Sequence, residues 1–388
     1  MIAFTGELLA AGTWARLLTR AGAVTAALLP LALHAQPAPD EQATMRLQRL
    51  AVIGGDMAPE PSAFMEVAGI AVSAAGEIFV LDGGHRSVRV FDAGGRYLRR
   101  FGQRGGGPGE FQVPVGISVD TVVRVSELAQ RRMSVFSLDG RHLRTDASPM
   151  VGESPLVRIV PLRHGHSLGS LPARLALSAG GAAREGSPYE TAMVVSAEGR
   201  TDTLLRFHSG FTAYHPRDAP VPFGAIDSHA GRGGAVAVLG DSVVAAVDGY
   251  EGTVRWYRAE PAGLALFRTR QLPSRSTPVD DDHRRRMERE IRAANPGLPR
   301  RLVIEAPPRV SVASQALFSA EGFLWIRNTA GTGVAHVWTV YAPDGRIAYR
   351  LRLPPGFDLR FARGDGLYGV ARTDSGTPVV HVYRLLPD

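Results

Sequence analysis

Three observations predict an all-β protein: a six-bladed β-propeller closed by an N-terminal strand, with one helical insertion between blades 4 and 5. A pattern ending in Gly-Arg recurs four times, at Gly95-Arg96, Gly140-Arg141, Gly199-Arg200 and Gly345-Arg346. Phe91 and Phe136 are 45 residues apart, as are Gly95 and Gly140, and a period of roughly 40–50 residues suits a unit of four strands. Between these turns lie short β-branched and aromatic runs punctuated by Gly, Asp and Pro, with no long helical period. One such unit cannot bury its apolar face alone, so copies must stack.

Six units follow in order. The first runs Gly69-Ile-Ala-Val-Ser-Ala-Ala-Gly-Glu-Ile-Phe-Val-Leu-Asp82, then Val88 to Arg96. The second opens at Pro114 and closes with Met133 to Leu143; the third closes with Met193 to Arg200. The fourth is degraded, with Val236 to Ala245 before Val254-Arg-Trp-Tyr257. The fifth pairs Gly322 to Ile326 with Val337 to Arg346. The sixth has only Gly366 to Val370 and Val379 to Tyr383, so it lacks an outer strand. An upstream run, residues 46–53, alternates polar and apolar side chains at Arg46 to Leu50 and is expected to supply it. Left open, those edges would invite pairing with other chains. Pairing with residues 379–385 would bury Leu47, Leu50, Val52 or Ile53. The Gly-Arg turns fall between third and fourth strands, where glycine supplies the positive φ of a tight hairpin.

Gly107-Pro-Gly-Glu-Phe111, Pro114, Gly116-Ile117, Val119-Asp120 and Gly76-Glu-Ile-Phe-Val-Leu-Asp82 resemble NHL repeats of six-bladed propellers. The resemblance is good over residues 65–145, fair over 305–350 and faint elsewhere. His85 stands where asparagine is usual, and the second unit lacks the glycine before its second strand. The resemblance implies a fold rather than an activity, since such propellers include ligand-binding modules, interaction platforms and a few lyases and lactonases.

Six blades account for nearly all 388 residues, so residues 46–388 are expected to form one propeller domain. Residues 1–35 read as a signal peptide: Arg16 and Arg20 flank an apolar run, Ala21 to Leu33, too short to span a bilayer. Leu33-His-Ala35 serves as the cleavage site, and residues 36–45 as a linker. The expected location is therefore periplasmic or extracellular. Cysteine is absent, which excludes disulfides, thiolate metal sites and a lipoprotein anchor. Lysine is absent too; all 44 basic residues are arginine, spread along the chain without a basic arm or stripe, which argues against a nucleic-acid partner.

One segment breaks the β pattern. Thr277-Pro-Val-Asp280 resembles a capping box with proline at the first helical position, and Asp281 to Ala294 follows as a polar helix ended by Asn295-Pro-Gly297. The helical insertion, about residues 277–297, is expected on the surface. Asp280-Asp-Asp282 then sits in a helical first turn, where carboxylates favour the dipole.

Two motifs carry potential chemistry. Gly165-His-Ser-Leu-Gly169 matches a nucleophile elbow, but Pro172 follows and no crossover helix exists, so Ser167 is read as part of a hairpin. His164 and His166 would share a strand face, a His-x-His pair can hold zinc, and the resemblance to propeller lyases implies histidine-bound zinc. A third ligand would have to come from His85, His215, His229, His336 or His381, none placed by sequence. No catalytic residue, metal ligand or cofactor is assigned.

The expected ligand surface is the loop face around the central channel. There fourth-to-first and second-to-third strand connections converge, bringing His85, Arg86, Arg104, Glu110, Arg131, Arg132, Tyr214, His215, Tyr250, Arg327 and Asn328 near one another. Arginines beside tyrosines suit a small anionic or carbohydrate ligand, or a protein partner. The sequence thus reads as an exported, monomeric, non-catalytic binding or interaction module with no membrane span in its mature part. The alternative is a propeller hydrolase or lyase with a metal ion in the channel.

Overall fold

The computed structural model describes residues 45–387, except 152–153, 172–175, 178–182, 185–188, 197, 209–211, 215–231, 295–302, 306 and 330–335. The expected signal peptide, and the expected linker up to residue 44, lie outside the described residues.

Among the described residues, six four-stranded antiparallel sheets follow one another as blades. Their innermost strands are Val67–Val72, Pro114–Val119, Val157–Pro161, Gly234–Leu239, Ala313–Phe318 and Asp358–Arg363. The innermost strands of blades 6 and 1, 1 and 2, 2 and 3, 4 and 5, and 5 and 6 touch directly. Blades 3 and 4 meet through Leu162, Leu168 and Val194 against Val244 and Ala259. The protein is an all-β, six-bladed β-propeller.

The core lies between blades rather than in one central mass. Phe79, Leu81 and Val88 of blade 1 pack with Phe111, Val125 and Phe136 on the blade 2 side, all fully or almost fully buried. Tight packing here explains Gly102, which follows Phe101 at the end of the outer strand of blade 1. A Cβ on Gly102 would sit 2.3 Å from the Phe111 ring, and its φ of 76° is one that L side chains rarely adopt. In the Gly-Arg turns, Gly95, Gly140, Gly199 and Gly345 have φ of 85°, 95°, 80° and 84°. Each closes the hairpin between a third and a fourth strand, as the repeat implied.

Blade 6 takes three strands from one end of the described chain and its outer strand, Met45–Gly54, from the other. The register runs from Met45 opposite Pro387 to Gly54 opposite Val379. Ile53 is buried and Leu47 half-buried, as expected. Leu50 and Val52, by contrast, are 43 % and 48 % exposed. The cause is a register shift between Arg49 and Ala51, which turns alternate side chains to the other face.

The two rims of the ring differ. First-to-second and third-to-fourth connections are short turns. Fourth-to-first and second-to-third connections, all on the opposite rim, include long insertions in blades 3 to 5. One carries the helix α1 (Asp281–Ala294), between blades 4 and 5 as expected. Its N-cap is Asp280, whose Oδ1 accepts the His283 N–H at 2.7 Å. Thr277 and Pro278 are therefore not its cap and first residue: they pair in extended form with Val310 and Arg309. Another insertion, between blades 3 and 4, pairs Thr212–Tyr214 with Val303–Glu305, tying the two insertions together on that rim. Among the described residues no helix is long and apolar enough to cross a membrane.

Candidate ligand site

The innermost strands enclose a cavity of about 840 Å³ along the channel. Much of its wall is apolar, from Ile117, Val160, Val236, Leu317 and Phe361. Charged groups lie toward its two ends. At the short-turn end each is paired: Arg124 Nη1 meets Asp120 Oδ2 at 2.7 Å, and Arg163 Nη2 meets Asp241 Oδ1 at 2.9 Å.

The end facing the long connections is built differently. Five of the six innermost strands shift register near their start: between Val67 and Gly69, Pro114 and Gly116, Val157 and Val160, Ala313 and Gln315, and Leu359 and Phe361. A bulge leaves an extra residue and re-aims its side chain. The residues at these bulges are Ala68, Val115, Arg158 with Ile159, Ser314 and Arg360, so two carry a guanidinium, and both line the cavity. Arg158 has φ 52°, a left-handed conformation uncommon for a side-chain-bearing residue. Its Nη1 is 3.7 Å from Glu190 Oε1, beyond hydrogen-bond reach, and its side chain is 53 % exposed. Glu190 is buried and already accepts Arg232 Nη2 at 2.6 Å. Arg360 Nη2 meets Asp358 Oδ2 at 2.7 Å, while its buried Nε–H reaches no acceptor among the described residues.

Sequence reasoning missed Arg158, Glu190, Arg232 and Arg360. A signal was present: arginine interrupts the otherwise apolar Arg158-Ile-Val160 and Leu359-Arg-Phe-Ala362 stretches of innermost strands.

Most of the expected loop residues are committed within the protein. His85 Nδ1 lies 2.8 Å from Asp82 Oδ2. Arg86, at φ 55°, donates from Nε to the Gln112 carbonyl at 2.6 Å. Glu110 accepts Gln103 Nε2 at 2.9 Å and the Gly107 N–H at 2.8 Å, and these hydrogen bonds hold its carboxyl below the usual range. Arg132 donates to Glu127 at 3.1 Å and to the carbonyls of Gly106, Gly107 and Glu110 at 3.2, 3.0 and 2.7 Å. Asn328 Nδ2 donates to Thr339 Oγ1 at 2.7 Å. Burial lowers the pKa of Arg327, opposed by the nearby Asp358 carboxylate. Tyr250 turns its backbone N–H to Asp248 Oδ1 at 3.0 Å. Arg104 and Arg131 are exposed, and their guanidinium groups bond no described residue. Tyr214 closes the strand Thr212–Tyr214, and His215 lies outside the described residues.

The two chemical motifs resolve as hairpin parts. Ser167 opens a strand and pairs with Pro161 and Val195, so no strand-to-helix elbow forms. His166 is buried, with Nε2 2.8 Å from the Glu260 carbonyl, and His164 occupies the turn. Among the described residues, no three His, Cys, Asp or Glu side chains gather as a metal site would need.

Comparison with known proteins agrees on the fold. A family model, DUF5128, described as a 6-bladed β-propeller, matches residues 62–158. A member of the DUF4221 family from Bacteroides vulgatus superposes with a TM-score of 0.50 at 10 % identity, covering 90 % of this chain and 100 % of that one. A Bacteroides fragilis protein assigned as exported gives 0.48 at 12 % identity, covering 89 % and 96 %. A streptogramin B lyase gives 0.43 at 10 % identity, covering 88 % and 98 %. No curated protein matches significantly.

Proposed function

We propose that this chain is an exported binding module of the NHL type, with a small-ligand site in the mouth of its central channel. One observation carries the reading: an apolar-walled cavity of about 840 Å³ that has the guanidinium groups of Arg158 and Arg360 at one end. Ligand sites of this size are mostly apolar with a few placed polar groups that fix orientation. Arg104 and Arg131 lie on connections of the same rim, where their charge would draw an anion toward it. The leader-like first 35 residues support export, and the Gly107 to Phe111 motif supports the NHL type.

The test uses protein recovered from the periplasm of an expressing bacterium, whose N-terminus should read near Gln36. Small anions and saccharides are screened by thermal shift. A true ligand at about 100 times its Kd stabilises by about 2.7 kcal/mol, which moves the melting point by several degrees. Val160→Trp, which fills the channel, should remove the shift. If no compound shifts the wild type, or if Val160→Trp leaves every shift intact, the channel is not the site. Hydrolysis of a ligand that stops on chelation would install the metal-enzyme reading instead.

A further inference from the structure

Blades 3 and 6 stand three apart in a ring of six, so their innermost strands face each other across the channel. These are the two blades whose bulge residue is arginine. The cavity wall these two guanidinium groups share is largely apolar, through Ile117, Val236, Leu317 and Phe361. We propose that the channel binds an elongated dianion, with an acidic group at each end and an apolar middle, held by Arg158 at one end and Arg360 at the other. This rests on the reading that the channel is a ligand site.

Local chemistry favours an acidic group at each end. Glu190 already accepts a hydrogen bond from Arg232 at 2.6 Å, so Arg158, at 3.7 Å, keeps its donors for another acceptor. The carboxylate holds Arg158 in place by charge without occupying its hydrogen-bonding edge. Arg360 meets Asp358 through Nη2 at 2.7 Å, which leaves Nη1 for a ligand oxygen. Arginine presents its donors in a fork that fits carboxylate or phosphate oxygens two at a time. A left-handed, bulged arginine costs stability, and such strain concentrates where a side chain must be aimed.

The experiment is calorimetric titration of the purified protein at fixed ionic strength. The probes are straight-chain α,ω-dicarboxylates from succinate to sebacate, the matching monocarboxylates, and the bisphosphates of the corresponding diols. Affinity should peak at one chain length, and there the dicarboxylate or the bisphosphate should bind at least about tenfold tighter than the monoanion. Whichever of the two binds tighter identifies the acidic group. Arg158→Ala and Arg360→Ala should each reduce the dianion to monoanion affinity. Glu190→Gln, which removes a competing charge and keeps the shape, should tighten binding several-fold. Equal affinity for mono- and dianions, no length optimum, or unchanged affinity in the arginine variants would overturn the proposal. If none of these probes binds but a saccharide shifts melting in a Val160-dependent way, the dianion proposal fails and the channel reading stands. If the dianions bind equally well to Val160→Trp, both fail.

Discussion

Arg89 and Arg158 both sit on strands of this propeller, with opposite surroundings. Arg89, in the third strand of blade 1, is fully buried. It donates from Nη1 to the Pro61 carbonyl at 2.9 Å and to the Ala63 carbonyl, faces Asp82 at 3.7 Å, and lies over the Phe64 ring. Arg158, in the innermost strand of blade 3, is half exposed in a strained conformation and has one loose carboxylate contact. Arg132 in blade 2 belongs with Arg89: three of its four hydrogen bonds fasten the connection that carries Gly107 and Glu110. The difference teaches that in a chain whose only cation is arginine, composition alone says nothing about ligands. What separates scaffold from site is exposure: the Arg89 guanidinium is sealed inside the protein, whereas that of Arg158 is half exposed at the channel.

That contrast can be broken by substitution. The largest effect is expected from Arg89→Ala, which leaves the buried Asp82 without its cation and two carbonyls without a donor. A loss of about 3–5 kcal/mol is expected, read by denaturant unfolding. Next comes Arg132→Ala, at about 2–3 kcal/mol, since charge-assisted hydrogen bonds to backbone carbonyls are lost. Ligand affinity of its folded fraction should stay at the wild-type value, and a drop would move Arg132 into the site. The smallest effect sharpens the comparison most. Arg158→Gly relieves the left-handed backbone and removes no hydrogen bond, so stability should stay level or rise by up to about 1 kcal/mol. A loss of 2 kcal/mol or more would place Arg158 with Arg89 as scaffold.

Much of the fold was legible because it is written locally. Each Gly-Arg turn needs only a glycine at a positive φ between two β-rich runs, and the helix needs only its cap and polar sequence. The closing strand was legible by subtraction, since one blade lacked a strand and one strand lacked a blade. Its facing was only half legible: the shift at Arg49 and Ala51 sends Leu50 and Val52 outward, and no residue in that stretch announces a bulge. The site was harder for the same reason. Arg158 and Arg360 reach the channel through bulges, which are properties of strand pairing rather than of either strand's sequence. Loop residues such as Arg86 looked available because their partners are distant; Gln112, which accepts from Arg86, lies a whole inter-blade connection away.

The pairing of Met45 with Pro387 also sets an order of events. The first five blades are built from hairpins between near neighbours in sequence, so each can form as its own residues become available. The sixth cannot, because its outer strand is made first and its other three last. Contacts of such long sequence separation are slow to form. Until they do, the ring stands open, with a blade's edge and the apolar face of its neighbour exposed to other chains. For this protein the hazardous interval is the wait between the first strand and the last.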